Sequence, residues 1–222
     1  MEEHRIIETR IQGVYWDGES LFTRNLAPGT RVYGERVLEF EGVEYREWSP
    51  RRSKLGAYIR LGGLACPIKE NSHVLYLGAA SGTTASHISD IARSGVVYCV
   101  EISPRSFRDL VAVCESRRNM IPILGDATKP QDLFFLVDKV DVIYQDIAQK
   151  GQASIFVKAM KVFNAAAGML SLKARSEDVT REPLKIFEEA KRYLQTQGME
   201  VQDLIQLEPF EKDHAMIVVG RK

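Results

Sequence analysis

The chain has 222 residues, 45% hydrophobic and 27% charged, which are proportions of a soluble globular protein with room for one sizeable α/β domain and a small appendage. Thirty Lys and Arg balance thirty Asp and Glu, so net charge gives no global sign of nucleic-acid binding, and any RNA contact must rest on local patches. No apolar run reaches membrane-spanning length, the start Met1-Glu-Glu-His-Arg5 lacks the basic and apolar parts of a signal peptide, and Cys66, Cys99 and Cys114 lack metal-ligand spacing, so an intracellular protein with reduced structural thiols and no metal is expected.

Residues 1 to about 50 hold short β-prone stretches: Arg5–Ile11, Val14–Trp16, Ser20–Thr23, Arg36–Phe40 and Val43–Trp48. Gly13, Asp17-Gly18, Pro28-Gly29 and Gly42 separate them as turns. A small antiparallel β-domain over 1–52 is expected, too small for a large core of its own and therefore packed on the remainder, 53–222. The junction Ser49-Pro-Arg-Arg-Ser-Lys54 is basic: Arg46, Arg51, Arg52, Lys54 and Arg60 stand against Glu47 alone. Charge by itself reads as a solvated linker; with Trp48 as a stacking surface, the run reads as a local phosphate-binding patch. A helix over Leu55–Ala65 follows, stopped by Gly62-Gly63 or soon after.

The next stretch organises the chain. Val74-Leu-Tyr-Leu77 is an apolar run typical of a strand buried on both faces. Gly78-Ala79-Ala80-Ser81-Gly82 then turns the chain, and Thr83 and Thr84 are placed to cap a helix over 83–93. Strand, glycine turn and helix start together present backbone N–H groups to a ligand. Val96-Val-Tyr-Cys-Val-Glu101 follows, and Glu101, 23 residues after Gly78 and beside Ile102, can accept hydrogen bonds from both hydroxyls of a ribose. A glycine turn is often only a turn. A dinucleotide fingerprint needs glycine where Ala80 stands, so that pyrophosphate can approach; S-adenosylmethionine, without a pyrophosphate, tolerates the side chain.

Strands are expected at 73–78, 96–101, 120–125, 140–146 and 167–174, with helices over about 83–93, 104–118, 130–137 and 150–164, and a last helix over 181–196. Such alternation implies a parallel sheet with right-handed crossovers. The end breaks the pattern: Glu200–Leu207 and Ala215–Gly220 are two strands too close for a helix between them, so they must be antiparallel. A Rossmann-like α/β sheet closed by an antiparallel hairpin matches the class I S-adenosylmethionine-dependent methyltransferase fold.

In open α/β sheets, ligands bind beyond the carboxyl ends of the strands. That rule selects Gly78–Thr84, Glu101, Asp126 with Ala127, Asp146 with Gln149 and Lys150, and Lys173; His214 starts the final antiparallel strand and so falls on the same edge. Each has an ordinary alternative: Asp126 and Asp146 as helix caps, Lys173 as a surface lysine, His214 as a turn residue. Their convergence on one edge beside a cofactor turn shifts the balance toward a site.

The sequence resembles the fibrillarins, in their archaeal form. The resemblance is carried by Trp48-Ser-Pro-Arg-Arg-Ser-Lys-Leu55, Leu75–Thr84, Tyr144-Gln-Asp-Ile-Ala-Gln149, Ser171-Leu-Lys-Ala-Arg-Ser176 and Pro209-Phe-Glu-Lys-Asp-His-Ala215. It implies methyl transfer from S-adenosylmethionine to ribose 2′-hydroxyls of rRNA and tRNA, directed by box C/D guide RNA, with a Nop-domain scaffold protein and a kink-turn-binding protein as partners and a cytoplasmic location. It also implies a tetrad at Lys54, Asp146, Lys173 and His214. A 2′-hydroxyl must be aligned and must lose its proton, which suits Lys173 as general base with Lys54 as the neighbouring cation that favours a neutral amine, Asp146 as orienter and His214 as a tuning group. Arg51, Arg52, Lys150 and Arg175 then need only hold phosphates. Two other classes stay open: a methyltransferase for small molecules or proteins, which would not need the two lysines and a basic junction together, and a non-catalytic assembly subunit.

Overall fold

The computed structural model describes residues 6–221. Five short strands form the expected antiparallel sheet: β1 (Ile7–Glu8), β2 (Val14–Trp16), β3 (Leu21–Arg24), β4 (Val37–Phe40) and β5 (Val43–Glu47), in the order β1-β2-β3-β5-β4. Of the expected first strand, Arg5 lies outside the described residues and only Ile7–Glu8 pair. Beyond them Thr9 takes its backbone and hydroxyl into a turn with Ile11 and Val14, which ends the ladder.

The second sheet has seven strands: β6 (His73–Leu77), β7 (Val96–Glu101), β8 (Met120–Leu124), β9 (Val142–Gln145), β10 (Ala167–Lys173), β11 (Met199–Gln206) and β12 (His214–Arg221). Their order is β11-β12-β10-β9-β6-β7-β8; β6 through β10 run parallel, and β12 runs antiparallel between β10 and β11. Helices α1 (Lys54–Arg60), α2 (Thr83–Ile91) and α3 (Pro104–Glu115) cover one face, and α4 (Gln152–Val162) and α6 (Pro183–Thr196) cover the other, with a one-turn α5 (Ala174–Glu177) after β10. Every residue of β9 is buried, as the apolar run of a central parallel strand requires. The topology places the order switch beside β6 and β9, and that is where a crevice opens at the carboxyl edge.

Several boundaries differ from the sequence expectation for local reasons. The helix expected from Leu55 begins at Lys54, because Ser53 caps it by accepting the Gly56 N–H at 3.2 Å, and it ends at Arg60 before Gly62 turns at φ 92°. Pro104 starts α3 after the Ser103 cap, as the sequence predicts. The helix expected over 130–137 is a 3₁₀ helix, Pro130–Leu136, with Phe134, Phe135 and Leu136 exposed; it buries too little apolar surface to hold an α-helix of that length.

Two expectations for the junction are corrected. Trp48 is no stacking surface: it is fully buried and lies flat on the His87 ring at 4.9 Å. Arg46 does not belong to a phosphate patch, because its guanidinium is fully buried between Glu35 at 2.6 Å and Asp90 at 2.9 Å. Asp90 also accepts from Arg117 at 2.6 Å, from the Thr23 hydroxyl at 2.7 Å and from the Leu26 N–H at 2.9 Å. This buried polar group ties β3, β5, α2 and the end of α3 into one unit.

Candidate active site

The turn after β6 is built by backbone geometry. Gly78 (φ 85°) and Ala79 both donate to the Val100 carbonyl oxygen, at 2.9 and 3.0 Å, which lashes the turn to β7. Gly78 has no room for a side chain: a Cβ there would sit 2.4 Å from the Asp146 carbonyl oxygen. Ala80 adopts φ 49° and donates its N–H to Glu101 at 2.8 Å. Glu101 is buried, and its other oxygen accepts the Ser103 N–H at 2.8 Å, so the carboxylate is fixed with lone pairs left to face outward.

Thr83 and Thr84 do not cap α2 as expected. Gly82 stands at that position with φ 91°, and a left-handed residue without a side chain leaves the first N–H groups of α2 without a side-chain cap. Thr84 is buried, and its hydroxyl donates to Ser53 Oγ at 3.0 Å. The cofactor turn is thereby linked to the cap of α1, whose first residue is Lys54.

An open cleft at this edge is lined by eight of the residues singled out from sequence: Gly78, Ala80, Glu101, Ile102, Asp126, Ala127, Asp146 and Gln149. Val100, Gly125, Ile147 and Ala148 complete the wall, and they carry no sequence signal beyond their position at strand ends. Ala79, Ser81, Gly82, Thr83 and Thr84, also expected to contact the cofactor, do not line the cleft; Ala79, Gly82 and Thr84 are buried beside it, and Ser81 and Thr83 are partly exposed. Thr128 donates its hydroxyl and its N–H to Asp126 Oδ1, at 2.7 and 2.9 Å, which holds the Asp126 carboxyl below the usual carboxylate range. Oδ2 accepts neither of these bonds and lies 3.8 Å from the Lys129 ammonium.

The other side of the cleft carries charge. Lys54 donates to Asp146 Oδ2 at 2.9 Å, and the Asp146 N–H is fixed on the Leu77 carbonyl oxygen at 2.9 Å. Both side chains are about one-fifth exposed, 22% and 18%, so the pair faces solvent at the crevice. Lys173, the last residue of β10, pairs in register with His214, the first of β12. The Lys212 carbonyl oxygen lies 2.7 Å from His214 Nδ1; a carbonyl only accepts, so Nδ1 carries the proton and the neutral ring keeps a lone pair on Nε2. Burial pushes the His214 imidazole below its ordinary value; the Lys212 bond opposes that, and the Lys54 charge adds to it. The structure therefore brings two pairs to one edge, Lys54 with Asp146 and Lys173 with His214, with the charges of the first pair felt by the second.

Of the residues expected to hold phosphates, Arg51, Arg52 and Lys150 are exposed. Arg51 and Arg52 lie over the Phe210 and Tyr33 rings, at 5.9 and 5.8 Å. Arg175 is more constrained: it bonds Asp213 at 3.0 Å and the Val179 carbonyl oxygen at 2.5 Å. Sequence reasoning missed Ser53, Gln152 and Glu177. Ser53 was legible as a cap before an apolar helix; the other two leave no sequence signal, because their role depends on contacts between α4, α5 and β10.

Two outcomes follow from this geometry. Gly78→Ala puts a Cβ at positive φ against the Asp146 backbone, at a strain cost of order 1–3 kcal/mol. Nucleoside-cofactor binding measured by calorimetry is expected to weaken about tenfold or more, since every 1.4 kcal/mol of misfit is a factor of ten. Wild-type affinity in that variant would contradict the role given to the close approach. The second outcome concerns pH. His214 and His87 both titrate below their ordinary value when folded, chiefly through burial, so the unfolded chain takes up protons first. Their contribution is complete above the unfolded value of about 6.5 and is lost as pH falls below it. Urea midpoints should drop between pH 7.5 and 5.5, and His214→Gln should shrink that drop; an unchanged drop would refute the His214 contribution.

A family model described as Fibrillarin matches residues 6–222 of this chain. The fibrillarin-like rRNA/tRNA 2′-O-methyltransferase of Thermococcus onnurineus (strain NA1) is 54% identical over 225 residues, covering 98% of this chain and 99% of that protein. Among solved structures, Aeropyrum pernix fibrillarin in complex with natively bound S-adenosyl-L-methionine superposes with a TM-score of 0.87 at 44% identity, covering 98% of this chain and 100% of that one. A fibrillarin solved in complex with Nop5p superposes with a TM-score of 0.87 at 38% identity, covering 95% and 98%.

Proposed function

This chain belongs to the fibrillarin family, and from that premise we propose that it methylates ribose 2′-hydroxyls of rRNA and tRNA within a box C/D guide-RNA particle. The observation that carries the reading is the Lys54–Asp146 ion pair at 2.9 Å, at the rim of the cleft and on the same sheet edge as the Lys173–His214 pair. A binding module for a nucleoside needs the cleft alone. A cluster of two lysines, an aspartate and a neutral imidazole beside it suits a proton-transfer step.

The residues present fit S-adenosylmethionine. Glu101 offers fixed carboxylate oxygens for the ribose hydroxyls, Asp126 keeps Oδ2 and Ala127 its N–H for the adenine, and Gly78 and Ala80 supply a turn that side chains do not obstruct. Ile102, Asp146 and Gln149 border the remaining wall, and Ala79, Ser81, Gly82, Thr83 and Thr84 hold the turn in shape. When bound, this co-substrate supplies a methyl group already activated on sulfonium. Lys173 takes the proton from the incoming 2′-hydroxyl. Lys54 and Asp146 hold one another at the crevice and orient the ribose oxygen, and His214, opposite Lys173 in the strand register and within reach of the Lys54 charge, tunes the same edge.

Sequence selection belongs to the guide RNA in this reading. Arg51, Arg52 and Lys150 hold phosphates, and Arg175 contributes what its bonds to Asp213 and Val179 leave free. A Nop-domain scaffold docks the chain, as a related fibrillarin is found with Nop5p, and a kink-turn-binding protein completes the particle. The chain divides at 52/53 into the small β-domain and the methyltransferase domain, and it acts in the archaeal cytoplasm. No helix among the described residues is long and apolar enough to cross a membrane.

The test is transfer of a labelled methyl group to guide-paired RNA, with and without the partner proteins, followed by mapping of the label. Label on a ribose 2′-oxygen at the guided position, formed efficiently only in the particle, supports the reading. Label on a base or on protein, or robust sequence-selective methylation by the chain alone, refutes it.

A further inference from the structure

Gln152 is the first residue of α4, yet its side chain is fully buried. Its amide spans the backbone of Lys173: Oε1 accepts the Lys173 N–H at 2.9 Å, and Nε2 donates to the Lys173 carbonyl oxygen at 3.0 Å. The pairing of β10 with β9 ends at Leu170 opposite Gln145, because the chain after Gln145 leaves the sheet to line the cleft with Asp146, Ile147, Ala148 and Gln149. At Lys173 the sheet has therefore lost its neighbour on that side. The Gln152 amide, with a donor and an acceptor side by side as a peptide has, stands where the missing strand would be.

The amide is itself held. Glu177 accepts from Gln152 Nε2 at 2.9 Å and from the Gln152 and Gly151 N–H groups at 2.8 and 2.9 Å, which also satisfies the start of α4. Gln145 Nε2 donates to the Gln152 carbonyl oxygen at 2.8 Å. On the opposite side Lys173 is fixed by its register with His214, and Ala174 donates to the Asp213 carbonyl oxygen at 2.9 Å.

We propose that Gln152 is the positioning residue of Lys173: its amide replaces the departed strand and holds the Lys173 backbone at the edge of the cleft. This rests on the reading of Lys173 as general base. The arrangement separates two demands on one sheet edge. The 146–149 segment is free to shape the cofactor wall, and Lys173 keeps a fixed place although that segment no longer pairs with it. A base displaced by about 1 Å can lose two orders of magnitude in rate, so a clamp on its backbone bears on turnover and not on cofactor affinity.

The test uses the assembled guide-RNA particle under single-turnover conditions, with S-adenosylmethionine affinity and thermal midpoint measured on the same proteins. Three variants are compared: Gln152→Leu, the double variant Gln152→Glu with Glu177→Gln, and Lys173→Ala. The double variant exchanges amide and carboxylate: it retains an acceptor for the Lys173 N–H and a bond between positions 152 and 177, but it loses the donor to the Lys173 carbonyl oxygen. The expected result is a 10- to 100-fold slower transfer in Gln152→Leu with cofactor affinity within about twofold, and partial recovery of that rate in the double variant, which restores one of the two bonds to the Lys173 backbone. Wild-type rate in Gln152→Leu while Lys173→Ala is inactive overturns the positioning role and leaves the base assignment standing. Parallel loss of rate, affinity and midpoint that the double variant does not recover marks Gln152 as merely structural and also overturns it. Full activity in Lys173→Ala removes the premise itself.

Discussion

Replacing Lys173 with alanine is expected to slow methyl transfer about 10²- to 10⁴-fold in the assembled particle, the range of a positioned general base, while S-adenosylmethionine affinity stays within about twofold. That loss corresponds to roughly 2.7–5.5 kcal/mol of barrier. The split follows from position. Lys173 ends β10 opposite His214, whereas the cleft wall is formed by the ends of β6, β7, β8 and β9. Removing the lysine side chain leaves Gly78, Glu101 and Asp126 with all their bonds. Lys173→Arg separates two roles that alanine does not. A guanidinium keeps the positive charge but stays protonated throughout the working pH range, so it cannot accept the hydroxyl proton. If Lys173 acts as a base, arginine is as damaging as alanine; if it acts as a cation that steadies RNA or developing charge, arginine preserves much of the rate. Near-wild-type turnover in either variant refutes the base assignment.

How legible this was in the sequence depends on how local the cause is. Gly78, Ala80 and Glu101 could be read directly, because a strand, a glycine turn and an acid ending the next strand are determined within about 25 residues. The antiparallel end of the sheet was legible from distance alone, since Leu207 and Ala215 leave no room for a crossover helix. Lys54 and Asp146 are 92 residues apart, and their pairing follows from the carboxyl-edge rule together with a family resemblance. Reading by charge failed where burial decides. Arg46 and Trp48 looked like a basic and aromatic RNA patch, but the β-sheet needs a polar core and a flat ring against α2, and both residues are buried there. Thr84 looked like a helix cap, but its hydroxyl turns away to Ser53. Gln152 gave no signal, because an amide standing in for a strand is defined only by the three segments around it.

Asp90→Ala is expected to destabilise the chain by about 3–5 kcal/mol, because it leaves buried positive charge without its counterion. Asp90 is fully buried between Arg46 and Arg117, at 2.9 and 2.6 Å. Arg46 keeps Glu35 at 2.6 Å after the change. Arg117 keeps only neutral oxygens, those of Asn25, Ser86 and Ser89. The Leu26 N–H loses its acceptor as well, and the Thr23 hydroxyl is left with only the His87 Nδ1 at 2.7 Å. For a protein of this size the loss corresponds to a fall in thermal midpoint of about 6–20 °C. Asp90→Asn keeps a carbonyl-type acceptor but not the charge, so it should fall between wild type and alanine. The stability loss is separable from cofactor binding. Asp90 lies near the far end of α2, about 10 Å along the helix from the turn that enters the cleft. Below its melting range the Asp90→Ala protein should therefore bind S-adenosylmethionine with wild-type affinity, in contrast to Gly78→Ala. A loss below about 1 kcal/mol would mean that the ion group between the small β-sheet and α2 contributes no net stability. Equal losses of affinity in the two variants would mean that the β-sheet acts on the cleft through α2, and not only as its support.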